Sequence, residues 1–300
     1  MRFTIVIVFL VFMIAISGLM TGCATYTPER FPFYVPPSEP WKDMQVQYIK
    51  GPDGTSLAYR QAGDLSTDKV MILVPGSTMY GYYYVPYMEK LSGFGITVRT
   101  IDLRGHGNSG GPRGDVPDED ALIDDLHRHI VTVRNVNPRL KIFLAGHSLG
   151  AGVCGKYLEK YGYDSVTGAV YFAPFFHWRQ PGMKPASYVE VDYLKIIFGG
   201  AHTVTQVYHP ASDDHKLVRK YTKIMGQASM LSSYGSFRSK HTTPSLYLIG
   251  KKDELFDWKT SPDIFKDTSR MKTIVYEDAA HLDILEKGLA DTVSWLEQFR

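Results

Sequence analysis

The chain has 300 residues, 44% hydrophobic, 21% charged and 13% aromatic, with two cysteines. These fractions belong to a globular chain and exclude wholesale disorder, while two cysteines cannot build a disulfide scaffold or a cysteine-based zinc site. Thirty-three basic against 31 acidic residues give a net charge of +2, too balanced for nucleic acid as the main partner.

The first element is Phe3–Met20, an uncharged apolar run after a single Arg2. It is long enough for a short transmembrane helix, and with Ser17 and Gly18 it also fits a secretory signal. The following Leu19-Met20-Thr21-Gly22-Cys23 resembles the lipobox of bacterial lipoproteins. The resemblance implies a signal peptide over residues 1–22, cleavage before Cys23 and lipid attachment to Cys23; an uncleaved signal anchor is the alternative. Several acyl chains make a stable anchor where one alone is marginal. Ala24 after the cysteine, by resemblance to lipoprotein sorting, implies the outer membrane if the organism is Gram-negative. Residues 23–40 read as a tether, with five prolines between Ala24 and Pro40. Such a segment is extended, at about 3.1 Å per residue.

From Met44 onward strands and helices alternate. Met44–Lys50 and Thr55–Gln61 flank Gly51-Pro52-Asp53-Gly54 and predict a hairpin. Lys69–Val74 is a strand, Tyr82–Leu91 a helix, Gly95–Asp102 a strand and Asp118–Val136 a helix ended near Pro138. Leu140–Ala145 is a strand, Leu149–Tyr161 a helix and Val166–Ala173 a strand. Ser245–Ile249 and Lys272–Glu277 are strands around a short helix at Asp263–Phe265, and Ile284–Phe299 closes the chain as an amphipathic helix. This alternation predicts an α/β fold with a mostly parallel sheet covered on both faces. Between Phe175 and Thr242 the alternation stops, over a stretch too long for a structureless loop. It reads as an inserted, largely helical cap, with helices at Tyr188–Phe198 and Lys216–Met230.

The most specific stretch is Ile142–Gly152, a strand running into Gly146-His147-Ser148-Leu149-Gly150 and then a helix. In that context Ser148 sits on a sharp turn with its hydroxyl projecting from the carboxyl edge of the sheet. Gly146 and Gly150 leave room for the turn, and Gly152 lets the helix lie close to the sheet. The helix N-terminus favours negative charge, which helps an oxyanion form. A second stretch, Asp102-Leu103-Arg104-Gly105-His106-Gly107-Asn108-Ser109-Gly110-Gly111-Pro112-Arg113-Gly114, is followed by Asp124-Asp125-Leu126. On these residues the chain resembles the α/β-hydrolase superfamily, in the branch of monoacylglycerol lipases, lysophospholipase-like esterases and serine-aminopeptidase-like relatives. The resemblance covers roughly residues 44–175 and 243–299. It implies an α/β-hydrolase fold with an eight-stranded, mostly parallel sheet and a cap.

A serine nucleophile needs a base, and the base needs an orienting acid. In this fold the order is Ser, acid, His. Asp253, in the loop after strand Ser245–Ile249, is the candidate acid, with Glu254 and Asp257 nearby. His281, just after the last strand, is the candidate base. Two backbone N–H groups are expected to form the oxyanion hole, from Leu149 and from Ser77 in the loop Pro75-Gly76-Ser77-Thr78. Most relatives carry His-Gly where this chain has Pro75-Gly76, so a side chain that usually braces the loop is missing.

Other signals stay open. Tyr80, Tyr82, Tyr83, Tyr84 and Tyr87 either line an acyl or alcohol pocket or pack under the cap. The ten histidines lack a metal-binding spacing, so no metal and no cofactor is expected. His202, His209 and His215 read as surface residues, and Cys154 as a buried thiol. Residues 175–242 hold nine basic and four acidic residues, a net +5, which reads as contact with anionic lipid head groups or a phosphate-bearing substrate, or as a solvated face. The expected function is a membrane-tethered serine hydrolase of carboxylic esters, with a lipid-like ester such as a monoacylglycerol or lysophospholipid as substrate. A peptidase or thioesterase is the rival, and a non-catalytic envelope lipoprotein comes from a different class. The oligomeric state is left undetermined.

Overall fold

The structure, a computed structural model, describes residues 44–299 apart from 185–188, 211–212 and 266–267. The segments expected to be a signal peptide and a tether, with the expected lipid attachment site Cys23, lie outside the described residues. The body begins with strands β1 (Gln47–Lys50), β2 (Ser56–Ala62) and β3 (Lys69–Val74), then α1 (Val85–Ser92), β4 (Thr97–Ile101) and α2 (Ala121–Val136). It continues through β5 (Lys141–His147), α3 (Gly150–Tyr161) and β6 (Gly168–Phe172). The chain then leaves the sheet for β7 (Val189–Val191), α4 (Tyr193–Phe198), β8 (Val204–Tyr208), β9 (Lys220–Thr222), α5 (Lys223–Ala228) and α6 (Tyr234–Lys240). It returns through β10 (Ser245–Gly250), β11 (Met271–Tyr276), α7 (Ile284–Lys287) and α8 (Leu289–Glu297).

The eight body strands form one sheet in the order β1-β2-β4-β3-β5-β6-β10-β11. The pairs β1/β2 and β2/β4 are antiparallel and all other pairs are parallel. The central parallel strands are buried almost end to end, from Val70 to Val74 in β3 and from Ile142 to Ala145 in β5. That is the burial expected of strands covered on both faces. The strand order sets the position of the site. From β3 the chain crosses to β4 on one side, and from β4 it crosses back to β5 on the other. The carboxyl ends of β3 and β5, with Val74 paired to Gly146, therefore flank a topological switch point, where a crevice opens.

The cap differs from the helical insertion expected. Among its described residues it holds a three-stranded antiparallel sheet in the order β7-β8-β9, with three short helices. The run Thr203–Tyr208 is rich in β-branched and aromatic residues that suit a half-buried strand. The helix expected over Lys216–Met230 shrinks to α5, because Lys220–Thr222 pairs with β8 and the Thr222 side chain caps α5 by accepting the Met225 N–H at 3.2 Å. The helix expected over Tyr188–Phe198 starts only at Tyr193, where Asp192 accepts the Lys195 N–H at 3.0 Å. The closing helix is broken at Gly288, where a Cβ would lie 2.9 Å from both the Ile284 carbonyl oxygen and Leu248.

Candidate active site

Ser148 sits between the end of β5 and the start of α3, with φ +50° and only 8% exposed. Its N–H donates to the Phe172 carbonyl and its own carbonyl accepts from the Phe175 N–H, both at 2.9 Å, which ties the elbow to the end of β6. The flanking glycines are sterically required. A Cβ on Gly146 would lie 2.5 Å from the Ala151 backbone, and one on Gly150 would lie 2.2 Å from the Val74 carbonyl oxygen. Gly152 has a different partner from the one expected. Its missing Cβ makes room for the Ser229 carbonyl of the cap, at 2.3 Å, and for that of Phe175, at 3.0 Å, rather than for the sheet.

Asp253 and His281 are brought together from the loops after β10 and β11. The Asp253 Oδ2 lies 2.9 Å from His281 Nδ1, and both side chains are buried. Asp253 Oδ1 accepts the N–H groups of Leu255 and Phe256, at 2.8 and 2.9 Å. Burial raises the Asp253 carboxyl, but His281 and the two backbone N–H groups outweigh it and hold the group below its ordinary range. The loops can meet because residue 250 is glycine: a Cβ there would lie 1.8 Å from the Ala279 carbonyl oxygen. Glu254, the next residue, accepts the His281 N–H at 3.2 Å.

A further contact joins these loops to the elbow. The Nε2 of His147 is 3.0 Å from the His281 carbonyl, and its Nδ1 is 2.8 Å from the Tyr84 hydroxyl. A carbonyl only accepts, so Nε2 carries the proton and Nδ1 accepts from Tyr84. Burial pushes the ring down to about 3, so it is neutral. The Tyr84 oxygen in turn accepts the Gly76 N–H at 2.8 Å. Tyr84 thus braces the loop after β3, the role that the resemblance gave to a histidine at the position of Pro75. Neither His147 nor Tyr84 was legible as a brace in the sequence, since the contacts of His147 span 63 and 134 residues and the short one from Tyr84 to Gly76 depends on how the intervening loop turns.

Of the two expected oxyanion donors, Leu149 follows Ser148 directly at the mouth of α3. Ser77 lies between two residues whose N–H groups are already bound, Gly76 on Tyr84 and Thr78 on Tyr221, the latter at 2.9 Å. The Asp102–Gly114 segment is scaffolding around this centre. Arg104 forks onto Asp125 at 2.7 and 2.8 Å, and Asp102 accepts from Arg60, Gly81 and Asn108 at 2.8 to 3.2 Å. The tyrosine cluster divides: Tyr80 and Tyr83 pack under the cap, both donating to Asp214 Oδ2 at 2.9 and 3.1 Å, while Tyr84 and Tyr87 turn into the body, Tyr87 against Phe172 with ring centroids 5.6 Å apart. Cys154 is a buried free thiol whose pKa burial raises. His202 and His209 bond to Asp115 and Glu190, each at 2.9 Å.

Residues 66–288 match the family described as serine aminopeptidase, S33. The chain belongs to that family. Human monoglyceride lipase is 30% identical over 126 residues, 42% of this chain and 41% of the lipase. The monoacylglycerol lipase of Mycolicibacterium smegmatis is 29% identical over 92 residues, 31% of this chain and 33% of that protein. The alignments thus span well under half the length of these curated relatives. Among solved structures, a soluble variant of monoglyceride lipase from Saccharomyces cerevisiae superposes with a TM-score of 0.66 at 16% identity, covering 87% of this chain and 98% of that one. A structure described as a putative aryl esterase from Burkholderia cenocepacia does so with a TM-score of 0.62 at 23% identity, covering 85% and 98%. At these identities the likeness is one of fold, and the fold is that of the α/β-hydrolases.

Proposed function

We propose that this hydrolase cleaves carboxylic esters of lipid-like alcohols, monoacylglycerols or lysophospholipids, through a serine acyl-enzyme. The observation that carries the reading is the buried Asp253–His281 pair, 2.9 Å apart, at the same sheet edge as Ser148 on its left-handed turn. With Nδ1 facing Asp253, His281 has Nε2 for proton transfer. It takes the Ser148 hydroxyl proton as Oγ attacks the ester carbonyl. The N–H groups of Ser77 and Leu149 stabilise the tetrahedral oxyanion. Collapse breaks the ester bond, His281 returns the proton to the leaving alcohol, and water then hydrolyses the acyl-enzyme with His281 again as base. Asp253 fixes the tautomer of His281 and balances its charge when protonated.

The lipid side of the reading rests on further features. Lipidation at Cys23 would hold the enzyme at a membrane, with residues 23–40 as a tether. The cap carries a net +5 over residues 175–242. Its helix α4 exposes Tyr193 at 67%, Leu194 at 62%, Ile197 at 66% and Phe198 at 82%. An apolar helix on a basic cap suits an anionic lipid surface. The names of the lipase relatives point the same way, whereas the family description names an aminopeptidase.

The test is a panel of monoacylglycerol, lysophospholipid, triacylglycerol, aminoacyl amide and a short nitrophenyl ester, run on wild type and Ser148→Ala. Ester turnover that vanishes in the variant, with the melting temperature nearly unchanged, is the expected outcome. Undiminished turnover in Ser148→Ala would sink the assignment, and hydrolysis confined to the amide would make the enzyme a peptidase.

A further inference from the structure

The loop after β3 turns left-handed at a residue poorly suited to it. Thr78 has φ +67°, a region where a β-branched side chain crowds its own backbone and glycine does not. Such a conformation persists where the surroundings over-determine it. Here the cap does so. The Thr78 N–H donates to the Tyr221 hydroxyl at 2.9 Å, and the Thr78 carbonyl accepts the Val218 N–H at 3.1 Å. Tyr208 and Tyr221 stand on neighbouring strands β8 and β9, both buried, with ring centroids 4.9 Å apart.

The direction of the bonds follows from the groups at the far end. His106 Nδ1 lies 2.9 Å from the Arg104 carbonyl, so Nδ1 carries the proton. Burial pushes His106 down to about 4, so the ring is neutral and Nε2 is an acceptor. Nε2 lies 2.6 Å from the Tyr221 hydroxyl. Tyr221 therefore gives its hydrogen to His106 and accepts from Thr78. Its hydroxyl is held between two loops of the body, the one at Arg104–His106 and the one that carries Ser77.

We infer that Tyr221 is a positioning residue for hydrolysis: anchored on His106, its hydroxyl holds Thr78 in the left-handed turn and so aims the preceding Ser77 N–H at the oxyanion. The inference rests on the proposed roles of Ser148 and Ser77. It makes the cap part of the machinery that stabilises the transition state, in addition to a cover. Displacing β8 and β9 alone would leave the bonds that hold Ser148, His281 and Asp253 in place but release the turn at Thr78.

The test is a double-mutant cycle on the full-length chain with a short soluble ester, using Tyr221→Phe, Thr78→Gly and the pair, with melting temperatures for all four proteins. Phenylalanine keeps the ring and removes the hydroxyl. In the wild-type background Tyr221→Phe should lower kcat by about 10- to 100-fold with KM little changed, because an oxyanion donor is misaimed. In the Thr78→Gly background the same change should cost less than about threefold, because glycine adopts the turn without a clamp. A hydroxyl that merely supported the fold would lower the melting temperature equally in both backgrounds and show no such rescue. Unchanged kcat in Tyr221→Phe overturns the inference, and so does a full loss that persists in the Thr78→Gly background. A wild type without Ser148-dependent turnover would instead overturn the proposed function, and this inference with it.

Discussion

The body and the cap are built on different terms. The body spreads eight strands into one sheet and buries its central strands almost end to end, so the loops after β3, β5 and β10 are anchored on rigid ends. The cap has strands of three to five residues and helices of six and seven, and one helix, α4, has no buried residue. Proposed nucleophile, base and acid all come from the body, where geometry is set by packing. The cap reaches the site through a few bonds: the Tyr221 hydroxyl and the Val218 N–H on Thr78, and Lys184, whose Nζ donates to the Asp253 carbonyl at 2.6 Å and whose N–H donates to that of Leu255 at 2.8 Å. Chemistry that must be held to fractions of an ångström sits on the large sheet, and the small layer acts on it through a few directed bonds.

The sharpest way to break this division is to strike the body's acid. Asp253→Asn should lower kcat by about 10⁴-fold, because the asparagine leaves His281 with the wrong tautomer. Steady-state kinetics on a soluble ester checks it, and a loss below about tenfold would contradict the role of Asp253.

Acidification is the next largest effect, and it falls mainly on the body. His106 and His241 are pushed by burial to about 4, and His129 and His147 to about 3. Their folded pKa values lie below the unfolded value of about 6.5. Below that value the unfolded chain binds protons that the folded chain does not, so stability falls as pH drops and rises as pH climbs back. The window runs from about pH 6.5 down to about pH 4, at about 1.4 kcal/mol per pH unit for each such histidine. Denaturant midpoints across that range would measure it; a flat profile would mean that these rings protonate in place.

The smallest effect on stability is expected at the cap's exposed helix. Leu194→Ser with Phe198→Ser should change stability by no more than about 0.5 kcal/mol, and should leave turnover of a soluble ester intact. The same pair should slow hydrolysis of monoacylglycerol presented in anionic vesicles. Equal rates on vesicles would remove α4 from the lipid-facing surface.

The body was legible because its signals are local. A buried strand, a Gly-x-Ser-x-Gly elbow and a helix start each lie within about ten residues, and the period of apolar residues states which is which. Asp253 and His281 were located by their place after particular strands, and the structure brings their side chains together. The cap was less legible. Its strands are too short for a clear period, and its sheet forms because Val204–Tyr208 finds β7 on one side and β9 on the other.

The sequence by itself determined the alternation of strand and helix and the elbow around Ser148, since these follow from neighbours along the chain, while Asp253 and His281 followed from the order of residues that the family resemblance implies. The tertiary structure alone decided what holds that edge in shape. Tyr84 reaching His147, Glu254 on the His281 N–H, and Tyr221 between His106 and Thr78 are hydrogen bonds between segments brought together by folding. Such bonds depend on the direction of single donors and acceptors, which no composition or period encodes.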